Sequence, residues 1–259
     1  MHIAVLTKPV PDPASGAERL RPDGRLDRAA APAVVNGNDE YALEAALQLV
    51  ESHGGEVTTV AMAPANATDT MRKALAMGAT RGVLITDPTL AGADAPTTMR
   101  VLATALKDVG ADLILAGVDT SDGTMGVVPA GVAALMGVPY LSYAARIEPD
   151  PSVGTVRVRR LSAKGYDVLE APMPALISCT QALGAPRYPS LKGIMAARSK
   201  DVAVRSASDI GVEVPGGGWS TTVVDFAAPP SRGATRVIRG AASVAAKEVA
   251  DFLAARRII

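Results

Sequence analysis

Residues 112–136 read DLILAGVDTSDGTMGVVPAGVAALM. An aliphatic run, Asp112–Ala116, gives way to a polar turn with three glycines and then to a helical pattern over Val127–Met136. A short apolar run, a glycine-bearing turn and a helix make the repeating unit of a parallel α/β sheet. The unit recurs upstream. Ile3–Thr7, Glu56–Met62 and Arg81–Ile85 are similar runs rich in Val, Ile, Leu or Ala, as strands covered on both faces are. Asp39–Ser52, Ala67–Met77 and Ala95–Val109 carry helical spacing, with Tyr41, Ala42, Ala45, Leu49 and Val50 on one face of the first. Gly54, Gly78, Gly110 and Gly137 follow the four helices as stop signals. This alternation predicts right-handed crossovers and a parallel sheet with helices on both sides.

Further on the pattern changes. Val153–Leu161 and Tyr166–Leu169 flank Ser162–Gly165 as a hairpin made basic by Arg157, Arg159 and Lys164, and Pro174–Cys179 reads as another core strand. Residues 183–235 carry prolines at 186, 189, 215, 229 and 230 and the triplet Gly216, Gly217, Gly218. They have little means to build a core, so an arm lying on another surface is expected, ending in a helix over Ala241–Arg256. The predicted organisation is an α/β domain over 1–182, with the hairpin at 153–170, and an arm over 183–259.

Composition removes several functions. Lys and Arg number 26 and Asp and Glu 26, and the chain holds one Trp, five Tyr and two Phe. Balanced charge and so few rings argue against nucleic acid, which needs a basic surplus or stacking platforms. One cysteine, Cys179, excludes an internal disulfide and a cysteine-built metal cluster, and reads as a buried small hydrophobe. The start, MHIAVLTKPVPD, is too short in its apolar run for a secretion signal, and no stretch has the length of a membrane span. A soluble, cytoplasmic protein is expected.

In an open parallel sheet, ligands bind at the C-terminal strand edges where strand order reverses. The loop Gly117-Val118-Asp119-Thr120-Ser121-Asp122-Gly123-Thr124-Met125-Gly126 occupies such an edge. Its glycines let backbone N–H groups approach an anion at a helix N-terminus, with Thr120, Ser121 and Thr124 as further donors. The alternative is a plain turn with Thr124 or Asp122 as helix cap. Asn36-Gly37-Asn38-Asp39-Glu40 either reads an adenine edge and ribose or is a turn and cap. Lys8, in the loop after the first strand, either meets an anion or points to solvent. His2 and His53 lie away from these edges, and Met62, Met71, Met77, Met125 and Met136 are interspersed with core positions. No catalytic constellation is visible, so the protein is read as a non-enzyme.

Four segments carry a family resemblance: IAVLTKPVPD at the start, MRKALAMGATRGVLI (71–85), GVDTSDGTMGVVPA (117–130) and APRYPSLKGIMAARSKDV (185–202). In their order and spacing the chain resembles the β subunit of electron-transfer flavoprotein. The resemblance implies a Rossmann-like fold of the adenine-nucleotide α-hydrolase type, a structural AMP, and FAD held mainly by an α subunit in a heterodimer. It also implies electron delivery from acyl-CoA dehydrogenases, or a related flavin dehydrogenase, to a quinone oxidoreductase in fatty acid oxidation. Carried over by position, the AMP site comprises Leu6, Asn36, Gly37, Asn38, Asp39, Met62, Gly117, Asp119, Thr120, Ser121, Asp122, Gly123, Thr124, Met125, Gly126 and Val127. The phosphate would sit on N–H groups of the Gly123–Val127 turn, and the adenine near Leu6 and Met62. Tyr188, Leu191, Ile194 and Met195 fall in the family's recognition loop, where an exposed leucine, here Leu191, enters a pocket of the dehydrogenase. The chain departs from the family at Arg159, Leu161 and Ala185, where acids are common, and around Pro13, where some members carry an aromatic. The alternative function is a nucleotide-binding stress-type protein or an ATP α-hydrolase-like enzyme, which ATP turnover would reveal.

Overall fold

The computed structural model describes residues 1–214, 219–227, 233 and 235–259. Of the irregular stretch, Pro215, Gly216, Gly217, Gly218, Pro229 and Pro230 lie outside the described residues. The chain divides into two compact units, Met1–Val223 and Val224–Ile259.

In the first unit the chain runs β1 (His2–Leu6), β2 (Pro9–Pro11), β3 (Ala33–Val35), α1 (Gly37–His53), β4 (Glu56–Met62), α2 (Thr68–Met77), β5 (Arg81–Ile85), α3 (Ala95–Val109), β6 (Leu113–Gly117) and α4 (Val128–Met136). It continues through β7 (Tyr140–Asp150), β8 (Thr155–Ser162), β9 (Gly165–Pro172), β10 (Ala175–Cys179), α5 (Leu191–Ala197) and β11 (Val202–Arg205). The main sheet has the order β11-β5-β4-β1-β6-β10-β7-β8-β9. It is parallel from β11 to β7 and antiparallel through β8 and β9. The α/β class read from the sequence is the one found.

Alternation along β1 splits the core into two layers. Ile3 and Val5 pack with Leu43 and Leu47 of α1 and Leu75 of α2 on one face. Ala4 and Leu6 pack with Leu102 and Leu106 of α3 and Val132 of α4 on the other. The chain steps outward from β1 to β4 and β5, then returns to place β6 on the opposite side of β1. The strand order therefore reverses between β1 and β6.

Two features differ from the sequence reading. Residues 183–223, expected to begin an arm, lie in the first unit, because β11 pairs in parallel with β5 along Val202–Arg205. The hairpin is present and stays basic, but only part of its charge is free: Arg157 pairs with Glu170 and Arg160 with Asp167, while Arg159 lies over the Tyr166 ring. In the second unit, α6 (Ala242–Ala255) buries none of its residues and leaves Val244, Val249 and Phe252 exposed. No described helix is long and apolar enough to cross a membrane.

Candidate functional site

At the reversal point, the ends of β1 and β6 face the start of α1, and Asp39 joins all three. One carboxylate oxygen accepts the backbone N–H of Lys8 (2.8 Å) and the other that of Gly117 (3.2 Å). Asp39 is buried, and burial pushes its carboxyl up to about 7 against the hydrogen bonds from the Asn36 side chain, Lys8 and Gly117. Gly117 has to be a glycine. A Cβ there would lie 2.5 Å from Asp39 Oδ1 and 2.7 Å from Asn38 Cβ.

The two asparagines hold the loop after β6. Asn36 Nδ2 donates to the Asp119 carbonyl (2.9 Å), and its Oδ1 accepts the Ser121 N–H (3.2 Å). Asn38 Nδ2 donates to the Asp119 carboxylate at 2.6 Å. Asn36 stands at the N-cap position of α1, yet its side chain caps nothing. The cap reading of this residue gives way to a link between two segments more than eighty residues apart.

Asp122 is the charge centre of the loop. Lys8 Nζ donates to it at 3.0 Å and Arg28 pairs with its other oxygen, while its side chain is wholly shielded from solvent. Burial alone would raise this carboxyl; the Lys8 charge, the Thr120 hydroxyl and the Arg28 charge outweigh it and hold it at about 2. Lys8 thus meets a carboxylate, and Arg28, in the excursion between β2 and β3, is a member that sequence reasoning missed. No local periodicity marks it, because its partner lies on another loop.

Past Asp122 the loop opens to solvent from Gly123 to Val127. Thr124 has φ 45°, a costly conformation for a β-branched residue, and its N–H donates to the Thr120 carbonyl (2.8 Å). Neither Thr124 nor Asp122 caps α4: Val127 holds the cap position, and no side chain bonds the first N–H groups of the helix. A Cβ on Gly123 would meet only Thr120 Oγ1 at 3.4 Å and Lys8 Nζ at 3.9 Å. Packing within the chain therefore leaves room above this glycine, beside a cation and an uncapped helix start. The buried Thr7 hydroxyl, one residue beyond β1, has no hydrogen-bond partner. Leu6 and Met62, at the C-terminal ends of β1 and β4, belong to the apolar layer below; Met125 is exposed.

The structure thus gathers Leu6, Asn36, Gly37, Asn38, Asp39, Met62 and the 117–127 loop at one sheet edge. His2 bonds Thr58 at the start of β1, Cys179 is buried in β10, and no cluster of metal-ligating side chains occurs among the described residues. Tyr188, Leu191, Ile194 and Met195 form a separate exposed apolar ridge. It is a short helix and its lead-in, capped by Ser190 Oγ, which accepts the Gly193 N–H (3.1 Å).

Asp39 makes a pH-dependent stability measurable. Its carboxyl ordinarily titrates near 3.8 and does so near 7 in the fold. The folded protein therefore keeps a proton that the unfolded chain releases, and this contribution, complete below pH 3.8, is lost as pH rises through about 7. Asp39→Asn removes that titration and turns an N–H toward one of two backbone N–H groups, costing about 1–3 kcal/mol at pH 5. Urea melts should show the gap between variant and wild type closing by roughly 2–3 kcal/mol between pH 5 and pH 8. A gap that does not change with pH would mean that the carboxyl is ionised throughout.

Comparison with known proteins bears on the whole chain. A family model described as the electron transfer flavoprotein domain matches residues 23–210. The electron transfer flavoprotein subunit beta of Mycobacterium leprae is 40% identical over 219 residues, 82% of each chain. That of Mycobacterium bovis is 36% identical over 267 aligned positions, 100% of this chain and 99% of the relative. Protein FixA of Azorhizobium caulinodans is 39% identical over 220 residues, 82% of this chain and 78% of the relative.

Proposed function

The chain belongs to the electron transfer flavoprotein family, on its β-subunit branch, and from that premise we propose that it binds AMP as a permanent structural part and helps an α subunit to seat FAD. Subunits of this family transfer electrons rather than catalyse a reaction of their own, and the family pairs such a chain with an α subunit and a flavin. The finer reading is that the fold is of the adenine-nucleotide α-hydrolase type, with AMP at the β1/β6 reversal point.

The observation that carries the proposal is the uncapped start of α4 beside Gly123, with Lys8 within reach. Free N–H groups at a helix N-terminus and a nearby ammonium are the donors that a phosphate monoester needs. Asn36, Asn38 and Asp39 brace the loop from behind, so it keeps its shape while the nucleotide lies on its open side. Leu6 and Met62 offer an apolar floor to the adenine, and the orphaned Thr7 hydroxyl gives a polar group at the same edge.

The flavin, when bound, supplies the electron chemistry. This chain's share is to hold the Pro9–Pro11 strand and the β8–β9 hairpin against the α subunit. With so few aromatic residues, it is poorly provided to enclose an isoalloxazine ring, so the α subunit holds most of FAD. The second unit, with the unburied apolar side chains of α6, packs on that subunit. Electrons come from an acyl-CoA dehydrogenase or a related flavin dehydrogenase, which docks on the ridge around Leu191, and leave to a quinone oxidoreductase.

Co-expression with the α subunit tests this. A yellow heterodimer is expected that releases one AMP per FAD on denaturation, read by chromatography. A colourless chain that ignores the α subunit, or a heterodimer without AMP, would overturn the proposal.

A further inference from the structure

We infer that Arg187 is a positioning residue, which clamps the start of the apolar ridge onto α1 so that the docking surface is formed before any partner arrives. The inference rests on the reading of Leu191 as a docking side chain. The ridge is unusual in what it leaves in water: Tyr188 is 95% and Leu191 76% exposed. It also stands on a helix of only 7 residues, far below the roughly 12–15 at which an isolated helix becomes even marginal. Its shape must come from anchors outside it.

Three anchors are present. At the helix centre, Gly193 packs so closely on α2 that a Cβ would collide with the Ala76 carbonyl. At its end, Arg72 Nη1 donates to the Ala197 carbonyl (2.6 Å), and Lys200 Nζ to the carbonyls of Leu75 (2.9 Å) and Ala79 (2.6 Å). The start depends on Arg187. Its Nε and Nη2 donate to the two oxygens of Glu44 (2.8 and 3.0 Å), and its backbone N–H donates to Glu44 as well (3.1 Å). Nη1 and Nη2 also reach both oxygens of Glu51.

Glu44 is buried, and Gln48 Nε2 donates to it at 2.9 Å. Burial would raise its carboxyl; the Arg187 hydrogen bonds reverse this and leave it below the ordinary value. The fork therefore answers a carboxylate that could not cheaply be left alone. A planar guanidinium spans two carboxylates one helical turn or more apart, whereas an ammonium meets them as a point charge. From this fixed point the chain turns through Tyr188 and Pro189, whose φ is locked by its ring, into the cap at Ser190. Ordering a side chain or loop on binding costs affinity. A ridge already ordered by Arg187 escapes that cost.

The test uses the flavin-loaded heterodimer and, as probes, acyl-CoA dehydrogenases for short, medium and long chains, each reduced by its acyl-CoA. The one that reduces the wild type fastest is carried forward. Arg187→Met keeps the stem and loses the fork: KM for the dehydrogenase should rise about tenfold, with kcat within about twofold. Amide exchange at Gly193 and Ile194 should accelerate by about tenfold or more. Arg187→Lys should fall between, and Glu51→Gln, at an exposed carboxylate that leaves Glu44 paired, should raise KM by about threefold. In a Leu191→Ala background, Arg187→Met should add less than about twofold, because both act through one contact. Faster exchange with an unchanged KM, or a full additional effect in the Leu191→Ala background, would overturn the positioning role alone. No change of KM in Leu191→Ala itself, or no reduction of the wild type by any probe, would instead overturn the docking reading beneath it.

Discussion

Gly117→Ala is expected to strip AMP from the protein and to lower its melting temperature by roughly 10 °C, from a loss of about 3 kcal/mol. Gly117 closes β6 with its N–H on Asp39. Its missing Cβ leaves room for the Asp39 carboxylate and for Asn38, both side chain and backbone. None of these neighbours can step aside cheaply. Asp39 is held at its other oxygen by Lys8 N–H, and Asn38 by Asp119. A methyl group would therefore push α1 away from β6 and release the Asn36 and Asn38 bonds that shape the 118–122 loop. Thermal melts and nucleotide content after denaturation check both halves; a normal melt with a full complement of AMP would show that the contact relaxes. Gly123→Ala is the control for the melt alone, since a Cβ there meets no backbone atom within 3.4 Å, and it should leave the fold unaltered.

Leu191→Ala should lower the second-order rate of reduction by the dehydrogenase by about 10- to 100-fold while leaving the fold as stable as before. The side chain is largely in water, so truncating it removes almost no intramolecular packing, and an effect on stability within about 0.5 kcal/mol is expected. Burying a leucine in a partner's pocket is worth about 1.5–3 kcal/mol, and a docking contact concentrates such energy in few side chains. The two readouts separate cleanly: stopped-flow reduction reports docking, and a thermal melt reports folding. An equal rate with the variant would mean that the exposed leucine serves no partner.

Much of the sheet was legible because its strands are covered on both faces. Ile3–Thr7, Glu56–Met62 and Arg81–Ile85 are short runs rich in Val, Ile, Leu or Ala, and Gly54, Gly78, Gly110 and Gly137 mark where left-handed or otherwise special backbone ends α1 to α4. β7 was not legible. Its 11 residues leave the parallel layer halfway along, with a register shift near Ala144 and Tyr143 at φ 54°, so no single period runs through it. β11 escaped notice because Val202–Arg205 is an edge strand of 4 residues within a stretch already marked by prolines. Edge strands need little apolar pattern, since only one neighbour holds them. The ridge read as a loop became a helix because its stability comes from Gly193, Arg72 and Arg187, none of which shows as local periodicity.

The sequence by itself determined the α/β class, the loop after β6 as the place to look, and, through four resembling segments, the family. These are properties of short windows: apolar runs, glycine stops and motifs that act within one turn of chain. Only the tertiary structure decided what the side chains in those windows do. It took Asn36 from a helix cap to a brace on Asp119, gave Lys8 and Arg28 a shared carboxylate, and set Arg187 between two acids of α1 more than 130 residues away. Such pairings depend on the three-dimensional approach of distant segments and on burial, which raises the cost of an unpaired charge, and neither quantity is written in any local stretch of chain.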